Sequence, residues 1–191
     1  MTLSKLQYET ATFRDGRVWG FEVERDPTKT TYEMFKLGLD PKQLQETKLA
    51  RDYPSVVKLP TRIADIEDLV VDYLTALREN LEDQLERLPN SMDLQSIPKH
   101  YIITVPAVWS DEAQARTRSC AEKAGMGRQV GIISEPEAAA IHVLNELSEE
   151  EYPFKLGDTF VVCDAGGGYA PVDHSPCWLF GLINAITGPS I

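Results

Sequence analysis

The chain has 191 residues, of which 42% are hydrophobic and 26% charged, enough for one buried domain or one domain and part of another. Its net charge of −11 repels polyanions, which argues against nucleic acid as a partner. Three scattered cysteines show no disulfide framework, and no apolar run approaches the roughly 20 residues of a membrane span, so we expect a cytoplasmic protein.

The first half of the sequence predicts a hairpin, a mixed segment and one long helix. Asp15-Gly16 separates two strand-like runs, at 10–13 and 17–23, and is a strong hairpin signal. The stretch 32–36 favours short helical structure. Between Ile63 and Leu88, apolar residues recur every three or four positions with a proline beyond each end, which predicts one amphipathic helix.

The second half alternates between strand and helix patterns. Ser110 suits the cap of the first helix there, and Gly125 suits the left-handed residue that ends it. The predicted strands cover 101–105, 130–134 and 159–163, and the predicted helices cover 111–124 and 136–147. This β-α-β-α-β order predicts an α/β fold whose strands are mostly parallel.

Acidic residues follow two of these strands, where α/β proteins bind phosphates and their metal ions. Asp164 is placed to orient water around a hard cation such as Mg²⁺. The glycines at 166–168 let backbone N–H groups approach a phosphate. Glu135 is placed to position a water for attack on phosphorus. A simple turn after 159–163, and a helix-end role for Glu135, explain the same residues without a ligand.

Other nucleotide and catalytic motifs are missing from the sequence. There is no P-loop, no G-x-G-x-x-G and no G-x-S-x-G elbow. The three histidines are isolated, and the pair His174 and Cys177 lacks the second pair that a zinc site needs. Cys163 lies in an apolar strand pattern, which is typical of a core thiol.

Four stretches in order resemble the ATPase domain of the 70-kDa heat-shock protein family. They are Tyr101-Ile102-Ile103-Thr104-Val105-Pro106-Ala107-Val108-Trp109-Ser110-Asp111, Ala121-Glu122-Lys123-Ala124-Gly125-Met126, Ile132-Ile133-Ser134-Glu135-Pro136-Glu137-Ala138-Ala139-Ala140 and Val161-Val162-Cys163-Asp164-Ala165-Gly166-Gly167-Gly168. Residues 19–23 and 35–37 are similar to a divergent branch of that family, related to its twelfth subgroup and found in fungi and animals.

The resemblance implies an actin-like ATPase fold of the ribonuclease H-like class, with two lobes and ATP-Mg²⁺ between them. It makes Glu135 the glutamate that positions the attacking water and supports the metal shell, and Asp164 the aspartate near the metal. Gly166, Gly167 and Gly168 match the phosphate loop. Lys36 is the candidate for the family's catalytic lysine. The implied function is ATP binding and hydrolysis in a chaperone, with client proteins and co-chaperones as partners.

The same resemblance divides the chain into four parts. Residues 1–147 are expected to form part of lobe one, 148–158 the crossing between lobes, and 159–168 the first strand and phosphate loop of lobe two. Residues 169–191 are expected to be an irregular, non-native tail. The α/β pattern alone would place 159–163 in the same sheet as its neighbours, whereas the resemblance places it in the second lobe, and we follow the resemblance here.

The sequence also departs from the family in ways that weaken nucleotide binding. The D-x-G-T motif, whose backbone grips ATP, is absent, and Tyr169 stands where the second phosphate loop has a threonine. We therefore expect a truncated domain with impaired ATP binding. Translated non-coding sequence after Gly168 would explain the tail, and a native but divergent segment is the alternative. Native mRNA that runs continuously through Ile191 would contradict the first explanation.

Two other functions remain open at this stage. A non-enzymatic fragment would present the helix predicted at 63–88 to a partner. A small-molecule kinase of the same superfamily would transfer phosphate to a sugar or an acid. The chaperone-like stretches at 103–107 and 135–140 disfavour the kinase.

Overall fold

A computed structural model of the chain describes residues 5–8, 18–23, 29–46, 59–87, 97–146, 159–164 and 179–184. The chain divides into two compact units. The first comprises residues 1–102 and 109–131, and the second comprises residues 103–108 and 132–191.

Within its described residues, the first unit combines a small antiparallel sheet with three helices. Its strands are β1 (Lys5–Tyr8), β2 (Val18–Trp19) and β3 (Thr30–Glu33), and its helices are α1 (Pro41–Glu46), α2 (Ile63–Glu86) and α3 (Asp111–Lys123). Two short 3-10 helices cover Gly20–Glu22 and Phe35–Leu39. None of the described helices is long and apolar enough to cross a membrane.

Strand β1 lies in the middle of the three-stranded sheet, and β2 and β3 pair antiparallel on either side of it. Leu6 of β1 is paired with Trp19 of β2 on one side and with Tyr32 of β3 on the other, and it is fully buried. Gln7 is 1% exposed, and its amide donates a hydrogen bond of 3.1 Å to Thr31 Oγ1. This buried side-chain bond keeps the polar group of β1 satisfied inside the sheet.

Two predictions for this part of the chain were wrong in part. The strand predicted at 17–23 ends at Trp19, because Gly20 adopts a φ of +66° and opens a 3-10 helix. The segment 32–36 is not one helical piece, because Tyr32 pairs with Leu6 in β3 and the 3-10 helix begins only at Phe35. The strand predicted at 10–13 and the turn at 15–16 lie outside the described residues.

Helix α2 is confirmed over Ile63–Glu86 and forms the core of the first unit along its first half. Tyr73 packs edge-to-face against Phe35 and Trp19, with ring centroids 5.6 and 6.0 Å apart. The buried residues of the helix are Ile66, Leu69, Val70, Tyr73 and Ala76. Burial stops there, since Leu81 is 42% exposed although it continues the apolar pattern. The apolar pattern of this helix therefore serves mainly as internal packing.

Helix α3 begins and ends as its sequence predicts. Ser110 caps it, because its hydroxyl oxygen accepts a hydrogen bond of 3.3 Å from the Ala113 N–H. Gly125 ends it at a φ of +84°. Arg78 of α2 donates from Nε to the Ala124 carbonyl oxygen at 2.9 Å, which satisfies an otherwise free carbonyl at the end of α3. The two helices are thereby joined at this end.

A buried carboxylate joins the starts of α1 and α3. Asp40 is 2% exposed and accepts hydrogen bonds from the Ser110 N–H and Oγ, each 2.9 Å long, and from the Gln43 N–H at 3.2 Å. Burial by itself would raise the pKa of Asp40, but the hydrogen bonds from Ser110 and from the first turn of α1 outweigh it and lower that pKa. Arg116 Nη1 reinforces the junction by donating to the Leu39 carbonyl oxygen at 2.9 Å.

The second unit contains most of β4 (Ile102–Val105) and β5 (Gly131–Ser134), followed by α4 (Glu135–Glu146), β6 (Thr159–Asp164) and β7 (Leu179–Asn184). Strand β4 neighbours β5 in one two-stranded sheet. Strand β6 pairs antiparallel with β7 in another, with Asp164 opposite Leu179. Helix α4 contacts both β6 and β7.

Strands β6 and β7 form a sheet of their own within the described residues. The alternating pattern alone would have placed β6 in the β4–β5 sheet, and its preferred place in a second lobe stays a prediction. The tail predicted as irregular contains a strand, because the apolar run Leu179–Asn184 pairs along the whole length of β6. The predicted crossing at 148–158 and the remainder of the tail lie outside the described residues.

We expect Asp40→Ala to lower the free energy of unfolding by about 3 kcal/mol, because it leaves N–H groups at two helix starts without their charged acceptor. Urea unfolding followed by circular dichroism measures this. Asp111→Ala is the matched control: it removes an exposed carboxylate from the first turn of α3 and should cost less than about 1 kcal/mol. Equal effects of the two substitutions would contradict a special role for Asp40.

The contribution of Asp40 should also depend on pH with a definite sign. Because its pKa in the folded chain lies below the ordinary value of 3.8, the folded state binds this proton less readily than the unfolded state. The stabilisation is therefore complete above the unfolded pKa and is lost as the pH falls through the folded pKa. The difference in unfolding free energy between wild type and Asp40→Ala, measured from pH 7 down to pH ~2, should shrink at the acidic end. A constant difference would contradict this.

Candidate functional site

The start of α4 is closed by a reciprocal pair of hydrogen bonds. The Ser134 N–H donates to Glu137 Oε2 at 2.8 Å, and the Glu137 N–H donates to Ser134 Oγ at 3.3 Å. This is the capping box that a serine followed three residues later by a glutamate predicts. Hydrogen bonds from the Ser134 side chain and backbone lower the pKa of Glu137, against a smaller opposing effect of burial.

Glu135 is the first residue of α4 and directly follows β5. Its side chain is half-buried. Two explanations were open for this residue, a role at the helix end and a role in a ligand site. The capping box itself is made by Ser134 and Glu137. The S-x-x-E spacing was readable in the sequence, and it is the signal that identifies Glu137.

Asp164 is the last residue of β6. Like Glu135, it belongs to the second unit and stands at the end of a strand. Helix α4, which Glu135 begins, contacts β6, which Asp164 ends. The side chain of Asp164 and the residues Gly166, Gly167 and Gly168 lie outside the described part of the structure.

Lys36 lies in the first unit, as the second residue of the 3-10 helix Phe35–Leu39, and is half-buried. The residue two positions before it, Met34, has a φ of +56°, in the left-handed region that residues other than glycine rarely adopt. A catalytic role for Lys36 stays a prediction from the resemblance.

Among the side chains that the structure describes, no three histidines, cysteines or acidic residues come together as a metal site. The predicted Mg²⁺ site depends on Asp164, whose side chain is not among them. Oxygen ligands from one or two carboxylates, completed by water and substrate phosphates, are the usual surroundings of Mg²⁺. Glu135 and Asp164 have the right chemistry for that arrangement, and the site stays a prediction.

Cys120 is a structural thiol. It is fully buried on α3, and its Sγ donates a weak hydrogen bond of 3.7 Å to the Glu67 carbonyl oxygen. Burial, with a further contribution from the nearby Glu67 carboxylate, raises the pKa of Cys120 to about 12. The thiolate, which is the nucleophilic form, is therefore absent at neutral pH.

No protein-family model matches the sequence. No curated protein matches it at a significant level either. The resemblance to the 70-kDa heat-shock family therefore rests on the four sequence motifs alone and stays a prediction.

We expect Cys120 to resist iodoacetamide at pH 8 in the folded chain and to react once the chain is unfolded in urea, since both burial and the raised pKa disfavour the thiolate. Mass spectrometry of the peptide that contains Cys120 measures the modified fraction. The unfolded chain at the same pH is the control. Modification of Cys120 in the folded chain at the rate seen in urea would contradict the prediction.

Proposed function

We propose that this chain is an ATP-binding and ATP-hydrolysing domain of the 70-kDa heat-shock type, acting with Mg²⁺. The observation that supports this best is the position of Glu135. It starts α4 directly at the end of a strand, while Ser134 and Glu137 close the helix end. A carboxylate at the end of a strand, where a helix begins, lies where α/β proteins bind phosphates and their metal ions.

Glu135 and Asp164 have distinct roles in this proposal. Glu135 orients a water molecule in line with the terminal phosphate of ATP, and Asp164 orients the water shell of Mg²⁺. Hydrolysis of a phosphoanhydride depends mainly on positioning and on stabilisation of charge, which two carboxylates, a metal ion and backbone N–H groups can supply. Gly166, Gly167 and Gly168 are proposed to provide those N–H groups.

Affinity for ATP is proposed to be weak in the 191-residue chain. The net charge of −11 opposes a polyphosphate, so binding depends on Mg²⁺ and on local N–H donors. The sequence has no D-x-G-T motif, and Tyr169 replaces the threonine of the second phosphate loop. Each lost hydrogen bond to a charged ligand is worth about 1.5–3 kcal/mol, so losing a few moves the dissociation constant by orders of magnitude.

A chaperone role brings client proteins and co-chaperones as proposed partners and the cytoplasm as the proposed location. The alternative of a fragment that presents helix α2 to a partner is less well supported. Ile66, Leu69 and Tyr73 are buried within the first unit, so this face of the helix already has an internal role.

The proposed function predicts slow, Mg²⁺-dependent ATP hydrolysis with a dissociation constant for ATP-Mg²⁺ of about 1 mM. Phosphate release by the purified chain measures the rate, and calorimetric titration measures the binding. Glu135→Gln should remove most of the hydrolysis, because it removes the group proposed to position the water. The affinity for ATP-Mg²⁺ should stay nearly unchanged, because few of the contacts with the phosphates are lost.

Glu122→Gln is the matched control for this experiment, because Glu122 is an exposed glutamate on α3, in the first unit. It should hydrolyse ATP at the wild-type rate. Hydrolysis that is equal in wild type and Glu135→Gln would refute the proposed role of Glu135. A micromolar dissociation constant for ATP-Mg²⁺ would refute the proposed weak binding but not the proposed ATPase function.

A further inference from the structure

The residue that follows Glu135 makes the start of α4 an unusual place for a functional side chain. Pro136 is buried and occupies the second position of the helix. A proline disfavours the helical conformation in the residue before it, because its ring clashes with that residue's N–H and Cβ. Glu135 nevertheless lies within α4. The first turn of α4 therefore holds Glu135 in a conformation that Pro136 disfavours.

The Ser134–Glu137 capping box is placed to stabilise that conformation. Its two hydrogen bonds, of 2.8 and 3.3 Å, run between the residues on either side of the Glu135-Pro136 pair. They fix both ends of the first turn, so the peptide units between them cannot extend without breaking a bond. In a helix each Cα–Cβ bond tilts towards the N-terminus, so a helical Glu135 starts its side chain towards the end of β5.

We propose that Glu137 is a positioning residue for Glu135: by closing the first turn of α4 onto Ser134, it keeps Glu135 in the helical conformation that Pro136 disfavours. The inference rests on the proposed function, because it assigns Glu135 the task of orienting water. Without the Glu137 carboxylate the backbone at Glu135 shifts towards an extended conformation. The Glu135 carboxylate then leaves the position from which it orients the water.

The test compares steady-state, Mg²⁺-dependent ATP hydrolysis by variants of the full chain, at a temperature where circular dichroism shows each to be folded. Glu137→Ala should lower kcat about tenfold with little change in KM, since a misplaced catalytic group affects the reaction more than the binding. Glu137→Gln should keep most of the activity, because its amide oxygen still accepts the Ser134 N–H. If Glu137→Ala does not fold, Glu137→Asp, which is one methylene shorter, replaces it in the same comparison.

A second substitution separates positioning from stability. Pro136→Ala in the Glu137→Ala background removes the bias against a helical Glu135, so kcat should recover towards the wild-type value. Thermal stability should not recover, because the cap is still absent and a buried ring has been removed. A rate that does not recover, or a Glu137→Ala rate equal to wild type, would overturn the inference and leave the capping box with a structural role only.

Glu135→Gln distinguishes this inference from the function on which it rests. If wild type hydrolyses ATP no faster than Glu135→Gln, the proposed function fails and the positioning role fails with it. If wild type is faster than Glu135→Gln but equal to Glu137→Ala, only the positioning role fails.

Discussion

The first unit depends on one buried carboxylate, Asp40. A charge that is 2% exposed is costly unless its oxygens are fully hydrogen-bonded. Here the N–H groups at two helix starts provide the bonds, and these bonds lower the pKa of Asp40 although burial alone would raise it. Because Ser110 caps α3 while it also donates to Asp40, α1 and α3 share one junction. Helix α2 completes the unit at the other end of α3, where Arg78 satisfies the Ala124 carbonyl.

The second unit uses a similar solution at the start of α4, with a different consequence. There the hydrogen bonds that cap the helix join two residues only three positions apart, Ser134 and Glu137, and Glu135 lies between them. A closed helix start fixes the backbone at Glu135, and a group proposed to orient water needs a fixed starting point. The residue that closes the turn and the residue proposed to act on the substrate are thus neighbours with separate tasks.

Several elements followed from local sequence alone, because their causes are local. The periodic apolar residues of α2, the Ser110 cap and Gly125 at the ends of α3, and strands β4, β5 and β6 were all predicted, within one or two residues at their ends. The predictions failed where pairing decided the conformation. Tyr32 is in a strand because β1 lies beside it, and the run 179–184 is a strand because β6 lies beside it.

The features of the candidate site and of the Asp40 junction also separate into those that local sequence predicts and those that depend on tertiary packing. The sequence by itself determined that carboxylates follow two strands, at Glu135 and Asp164, since strand ends and helix starts are readable from apolar runs, serine and proline. The cap that Glu137 makes with Ser134 was also readable from local spacing, whereas only the tertiary structure decided that Asp40 is the buried acceptor for a serine 70 positions away. A carboxylate's neighbours across the chain depend on how elements pack, and packing joins residues that no local spacing relates.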